Sequence, residues 1–142
     1  MPTVKLNNRK PIGITLPLRD GSNGYFEQSF DTLTQIRSNI TNLLNTKPFE
    51  RRFQPTFSSK LNTLVFEQNI DMLPEMATTM IRNDIAQWIP GVTVKDVTAE
   101  MLKNNETTDN KDIYKLYIAV QFLVNATGQS DTIELTINGP AT

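Results

Sequence analysis

Residues 114 to 124 read Tyr-Lys-Leu-Tyr-Ile-Ala-Val-Gln-Phe-Leu-Val, and they carry the strongest secondary-structure signal in the chain. The apolar side chains alternate without a break, at Tyr114, Leu116, Ile118, Val120, Phe122 and Val124. A period of two is typical of a β-strand, because successive side chains point to opposite faces of the sheet. The other face is partly apolar as well, at Tyr117, Ala119 and Leu123, which predicts a central strand covered in part on both sides.

Two further strands are predicted on either side of this one. Alternation at Val97, Ala99 and Met101 precedes it, and alternation at Ile133, Leu135 and Ile137 follows a turn at residues 125–131 that is rich in Gly, Ser and Asp. Val92 and Val94 are out of phase with Val97, which predicts a β-bulge near Asp96. The three strands together predict an antiparallel meander.

The residues before the strands show helical spacing. A first helix is predicted from Phe30 to Asn45, with Ser29 as its N-cap, because apolar residues recur three or four apart at Phe30, Leu33, Ile36, Ile40, Leu43 and Leu44. Leu61, Leu64 and Val65 predict one or two further helical turns. A third helix is predicted from Met72 to Trp88, with Asp71 as its cap and Pro90-Gly91 as its stop. Helices followed by a meander predict an α+β fold.

Residues 1–24 are predicted to form an extended N-terminal arm in front of a single domain at residues 25–142. The arm holds four basic residues against one acid, with three prolines and three glycines. Its middle alternates at Ile12, Ile14, Leu16 and Leu18, which would let it lie as a strand on a partner's surface. The alternative is an arm that packs on its own domain.

Composition excludes several kinds of chemistry. The chain contains no Cys and no His, so Cys nucleophiles, Ser-His-Asp triads, structural zinc sites and iron–sulfur clusters are excluded, and we expect no cofactor and no metal. A net charge of −1 argues against nucleic-acid binding. The start lacks a secretion-type apolar run, and no apolar stretch is long enough to span a membrane, which predicts folding in the cytoplasm.

The segment 46–61 between the first two helices is unlike an ordinary linker. Three aromatic residues, Phe49, Phe53 and Phe57, alternate with four basic residues and one acid: Lys47, Arg51, Arg52, Lys60 and Glu50. Aromatic rings and Arg are the residues that protein interfaces favour, because rings supply contact area and Arg supplies directional hydrogen bonds. The alternative is that the Phe side chains belong to the core and the Arg side chains are solvated.

At this segment the chain resembles the small baseplate wedge subunit family of contractile phage tails, which also occurs in type VI secretion baseplates. The shared pattern is an amphipathic helix, then Thr46, Glu50, Arg51, Pro55, Phe57, Leu61, Phe66 and Glu67, then a long helix that ends in an aromatic residue near a proline, and a small sheet. Two features depart from the family pattern. Phe49 and Ser58 stand where the family usually has Gly, and Ile89-Pro90-Gly91 stands where it has Glu-Pro-Arg.

The resemblance implies a structural protein of the virion tail baseplate, assembled in the host cytoplasm, that joins inner wedge proteins and initiates the tail sheath. The implied partners are other wedge proteins, the sheath protein and tube or hub proteins, with six copies or a multiple of six. We predict that Arg51, Arg52, Pro55 and Phe57, with Glu50, contact wedge partners. The sheet from Val97 to Ile137 is predicted to meet the sheath, and the arm is predicted to donate a strand through Ile14 and Leu16.

Two alternatives to a phage structural protein stay open. One is a type VI secretion baseplate subunit, and the other is a tail lysozyme, since some members of this family bear that name. Glycoside cleavage needs two carboxyl groups across a sugar, and the nearest candidates are Glu50, Glu67, Asp71 and Glu75. Arg51 and Arg52 favour the ionised form of Glu50, which makes it a poor proton donor. We therefore predict that the protein is not an enzyme.

Overall fold

The fold combines three helices with a three-stranded antiparallel sheet, as predicted. A computed structural model describes residues 10–22, 25–64, 70–104 and 113–138. The elements, in chain order, are β1 (Gly13–Ile14), β2 (Gln28–Ser29), α1 (Thr32–Asn45), α2 (Leu61–Leu64), a 3₁₀ turn (Ile70–Met72), α3 (Leu73–Trp88), β3 (Val92–Asn104), β4 (Ile113–Val124) and β5 (Ser130–Asn138). The strand order is β3-β4-β5, and β1 pairs with β2 in a separate small ribbon. The α+β class is confirmed.

The core lies between the helices and one face of the sheet. One face of β4 and one face of α3 supply most of its buried apolar side chains. From the strand these are Leu116, Ile118, Val120, Phe122 and Val124. From the helix they are Leu73, Ala77, Ile81 and Ile85. Helix α3 packs over β3, whereas α1 packs against β5 and adds Ile40, Leu43 and Leu44. Tyr117, Ala119 and Leu123 on the other face of β4 are half-buried.

The predicted bulge is confirmed. The register between β3 and β4 shifts between Val94 and Asp96, which restores the phase of the apolar side chains. Arg82 on α3 donates to two carbonyl groups at the bulge, with Nη1 3.0 Å from the Val94 oxygen and Nη2 3.4 Å from the Lys95 oxygen.

Both predicted helix caps are wrong. Asp31, and not Ser29, caps α1: its backbone is extended and its Oδ1 accepts from the Thr34 N–H at 2.8 Å. Ser29 is unavailable because it is buried in β2, and its hydroxyl bonds to Gln35. Helix α3 has Met72 at the cap position with no side-chain bond, since Asp71 lies in the preceding 3₁₀ turn. The predicted stop at Pro90-Gly91 holds, with Gly91 at φ +83°.

The described part of the arm packs against its own domain. Strand β1 pairs with β2, and the Leu16 N–H donates to the Ser38 hydroxyl on α1 at 3.1 Å. No helix in the described ranges is long and apolar enough to cross a membrane. Several predicted features lie outside the described residues, namely the arm before residue 10, Gly24, Val65, Phe66 and Glu67.

Candidate protein interface

Residues 47–58, here called the Phe–Arg loop, form a turn-rich loop closed at its base. The Ser59 N–H donates to the Thr46 carbonyl at 3.0 Å, which joins the two ends. Across the loop, the Phe49 N–H donates to the Pro55 carbonyl at 3.2 Å. The Glu50 carboxylate accepts from the Lys47 N–H at 2.8 Å. These bonds satisfy backbone groups inside the loop, so that its shape is defined without a partner.

The inner side of the loop is held by a stack of three side chains. The Phe57 ring meets the Trp88 ring edge to face, with centroids 5.3 Å apart and an interplanar angle of 73°. The Arg51 guanidinium lies over the Phe57 ring, 4.3 Å from its centroid. Aromatic pairs and cation–π contacts of this kind are attractive beyond the area they bury. The stack therefore fastens the loop to the end of α3.

A groove of about 350 Å³ opens beside this stack. It lies between α1 and the end of α3, and its walls are Ile36, Asn39, Asn42, Arg51, Phe57, Trp88, Ile89 and Pro90. The groove thus includes Ile89 and Pro90, which follow the last residue of α3. Its polar groups are neutral amides and the Arg51 guanidinium.

The outer side of the loop exposes two aromatic rings. Phe49 is 82% exposed and Phe53 is 97% exposed, so of the three Phe residues only Phe57 packs against the core. Arg51 and Arg52 are exposed as well. Phe49 holds a φ of +64°, a left-handed conformation that costs an L-residue roughly 1–2 kcal/mol and that Gly adopts freely.

Five of the predicted contact residues lie in the Phe–Arg loop, and two lie on the arm. The loop holds Glu50, Arg51, Arg52, Pro55 and Phe57, and the Pro55 carbonyl accepts the bond from the Phe49 N–H. Ile14, 45% exposed, lies apart from them on the arm, and Leu16 beside it is half-buried. No group of three or more acidic side chains in the described ranges is arranged to hold a metal ion.

Asp84 lies next to the base of the loop and was missed by sequence reasoning. It lies on α3 near Ser59, which is fully buried, and Lys60. Burial raises the pKa of the Asp84 carboxyl above its ordinary value, and the Ser59 hydroxyl and the Lys60 charge oppose part of that rise. Its Oδ2 atom is buried without a hydrogen-bond partner among the described residues. The sequence does place Asp84 three residues after Ile81, so its side chain lies next to the apolar face of the helix and could have been recognised as partly buried.

We expect Asp84→Asn to raise stability at pH 7. Folding raises the pKa of Asp84, so the folded state favours the protonated, neutral carboxyl. The wild-type protein therefore loses stability as pH rises through that pKa and the buried group becomes charged. The neutral amide of Asn does not titrate and avoids this loss. Thermal unfolding at pH 7 and at pH 3 measures the effect, which should shrink at the lower pH. Glu75→Gln, an exposed carboxylate on the same helix, is the control and should change stability only slightly. A variant less stable than wild type at pH 7 would contradict this explanation.

The outer edge of β5 is a second candidate contact surface. Strand β5 has nine residues, pairs only with β4 among the described strands, and contains neither Lys nor Pro. The Val124 N–H donates to the Gln129 carbonyl at 2.8 Å, so these two residues form a hydrogen-bonded pair between β4 and β5. Hydrogen-bonded pairs alternate along an antiparallel ladder, and Asp131, Ile133 and Leu135 are therefore the next residues of β5 that bond to β4. The residues between them, Thr132, Glu134 and Thr136, point their backbone groups away from β4 and toward the open edge. The opposite edge, β3, carries the bulge and Lys95, both of which discourage strand addition.

Comparisons with known proteins relate the chain to one family and several solved structures. The family model described as baseplate wedge protein gp25 matches residues 31–129, a range that holds α1, the Phe–Arg loop, α3, β3 and β4. No curated protein sequence matches. A crystal structure from Geobacter sulfurreducens, named a tail lysozyme, aligns with a TM-score of 0.63 at 18% identity, over 78% of this chain and 93% of that one.

Two baseplate structures are also similar in fold. A chain in the anti-feeding prophage baseplate has a TM-score of 0.54 at 14% identity, over 87% of this chain and 82% of that one. A chain in the type VI secretion baseplate complex has a TM-score of 0.51 at 9% identity, over 76% of this chain and 93% of that one. The resemblance seen in the sequence is confirmed by the family match. The chain belongs to the baseplate wedge protein gp25 family and is a structural component of a baseplate.

Proposed function

We propose that the chain initiates the tail sheath: the outer edge of β5 accepts a strand from the first ring of sheath subunits, while the Phe–Arg loop joins inner wedge proteins. The observation that carries the proposal is the outer edge of β5, which no other described strand covers. An extended segment that adds to a sheet gains main-chain hydrogen bonds along its whole length, and nine residues without Lys, Pro or a bulge offer such a template.

The position of β5 in the fold supports this role. Its buried side chains, Ile133 and Ile137, anchor the strand to the core. Arg37 on α1 forms an ion pair with Asp131 near the start of the strand, with an N–O distance of 3.0 Å. The edge strand is therefore held in fixed register on the core, which lowers the entropy cost of adding another strand.

The arm and the assembly complete the proposal. Residues 1–24 are proposed as an arm distinct from the domain 25–142, and Ile14 and Leu16 as contacts with a neighbouring subunit. Baseplates are commonly six-fold, so six copies or a multiple of six would be present in each virion, assembled in the host cytoplasm. Tube or hub proteins are further proposed neighbours. We propose no catalytic role.

Thr136→Pro tests the edge. Proline removes one outward N–H and blocks an incoming strand, while the bonds from β5 to β4 use other residues. In cells that lack this gene but carry the other tail genes, we expect the variant to enter baseplates and leave them without sheath. Thr136→Val keeps the N–H and is the matched control, expected to restore sheathed tails. Circular dichroism and thermal unfolding of both variants check that they fold. Normal sheaths with Thr136→Pro would rule out strand addition at this edge.

A type VI secretion baseplate is the alternative setting. The same β5 edge would serve either kind of sheath, and likeness in fold at 9% identity does not separate the two. Capsid and portal genes beside the tail genes would indicate a phage, whereas their absence next to type VI genes would indicate a secretion system. A tail lysozyme is the less favoured alternative, and clearing of peptidoglycan by the purified protein would support it.

A further inference from the structure

The strained backbone at Phe49 needs an explanation that the fold does not supply. The residue holds φ +64° and its ring is 82% exposed, so the ring is not retained for packing. Glycine would adopt the same conformation without a steric conflict. Strained residues that persist in a structure concentrate at binding and catalytic sites.

Phe53 shares this exposed side of the loop. Its ring is 97% exposed, and it follows Arg51 and Arg52 directly in the chain. The loop that presents both rings is held by the bond from Phe49 to Pro55, by the bond from Lys47 to Glu50 and by the stack of Arg51 on Phe57. A contact surface that is already ordered loses little entropy on binding.

The charge around the two rings indicates the partner. The segment 46–61 carries a charge of +3 in a chain whose net charge is −1. Its one acid, Glu50, is engaged by the Lys47 N–H inside the loop. Complementarity therefore calls for a surface with apolar pockets and a rim of Asp and Glu. A nucleic acid or an anionic membrane would also match the local charge and accept aromatic rings, but the net charge of −1 opposes both, and membership in a baseplate protein family favours a protein partner.

We propose that Phe49 and Phe53 are two anchors that enter apolar pockets on an acidic surface of another baseplate protein, with Arg52 pairing to its carboxylates. This inference rests on the proposed wedge role and assigns the contact to the outer side of the loop, where both rings are exposed. Aromatic and Arg side chains are the residues that most often dominate binding energy at protein interfaces.

The test uses extracts of cells that lack this gene but carry the other tail genes. Purified protein is added over a range of concentrations, and the amount that sediments with baseplate particles is measured. We expect Phe53→Ala and Phe49→Gly each to raise the half-saturating concentration by about tenfold. Phe49→Gly should also keep or raise the midpoint of thermal unfolding, because it relieves the backbone. Tyr25→Ala, which removes an aromatic ring that is 91% exposed and lies outside the loop, is the matched control and should change neither quantity.

A photoreactive phenylalanine at position 53 identifies the partner. In assembled particles we expect crosslinks to a baseplate protein at a peptide rich in Asp and Glu, and we expect binding of the wild-type chain to weaken as salt rises. Crosslinks to nucleic acid or lipid, crosslinks to a basic peptide, or no crosslinks would overturn the proposal, as would normal binding by both Phe variants.

The two proposals fail in different ways. Normal binding by the Phe variants together with sheathless tails from Thr136→Pro would refute the anchors alone. Loss of binding by the Phe variants together with normal sheaths from Thr136→Pro would refute strand addition alone. A wild-type chain that does not sediment with baseplate particles would refute both.

Discussion

Phe57→Ala is expected to lower the free energy of unfolding by about 2 to 4 kcal/mol. The ring packs edge to face against Trp88 and lies beneath the Arg51 guanidinium, so the change removes both contacts and opens a void beside the end of α3. The expected loss is smaller than that for a fully buried Phe, because Phe57 is only half-buried. Chemical denaturation measures the loss.

Phe53→Ala provides a matched control in the same loop. It makes the same chemical change, but its ring is 97% exposed, so stability should stay within about 0.5 kcal/mol of wild type. The two variants therefore separate a stability role from a binding role within one segment. Equal effects on stability would mean that the stack on Trp88 does not hold the loop.

Phe122→Ala is expected to be more damaging, with a loss of about 3 to 5 kcal/mol. Phe122 is fully buried in the central strand, where Val94 and Asp131 flank it on β3 and β5. A small domain has a total stability of about 5 to 15 kcal/mol, so this variant is expected to approach the limit of folding at 37 °C.

The neighbouring residue gives the control for this prediction. Gln121→Ala alters an exposed side chain on the opposite face of the same strand and should change stability by about 0.5 kcal/mol or less. Urea denaturation of both variants measures the difference. A small effect of Phe122→Ala would contradict the assignment of this face of β4 to the core.

The residues predicted to form an interface show how far sequence reasoning reached. Their types and spacing predict a contact segment, which stays a prediction, and the structure places Glu50, Arg51, Arg52, Pro55 and Phe57 in one loop that is closed at its base. What the segment itself could not tell was which of its Phe residues is buried. An irregular loop has no hydrophobic period, so that outcome depended on Trp88 approaching Phe57 from a distant helix.

The sequence by itself determined the regular elements of the fold, and the tertiary structure decided the local exceptions. The sequence by itself determined the α+β class, the central strand and the bulge near Asp96, because the alternation of buried and exposed side chains repeats over many residues. Tertiary structure decided which residue caps α1, since pairing of β2 with the arm occupies Ser29 and leaves Asp31 to bond the helix end. It also decided the burial of the Asp84 carboxyl. Each of these outcomes depends on contacts between segments far apart in the chain, which no local period records.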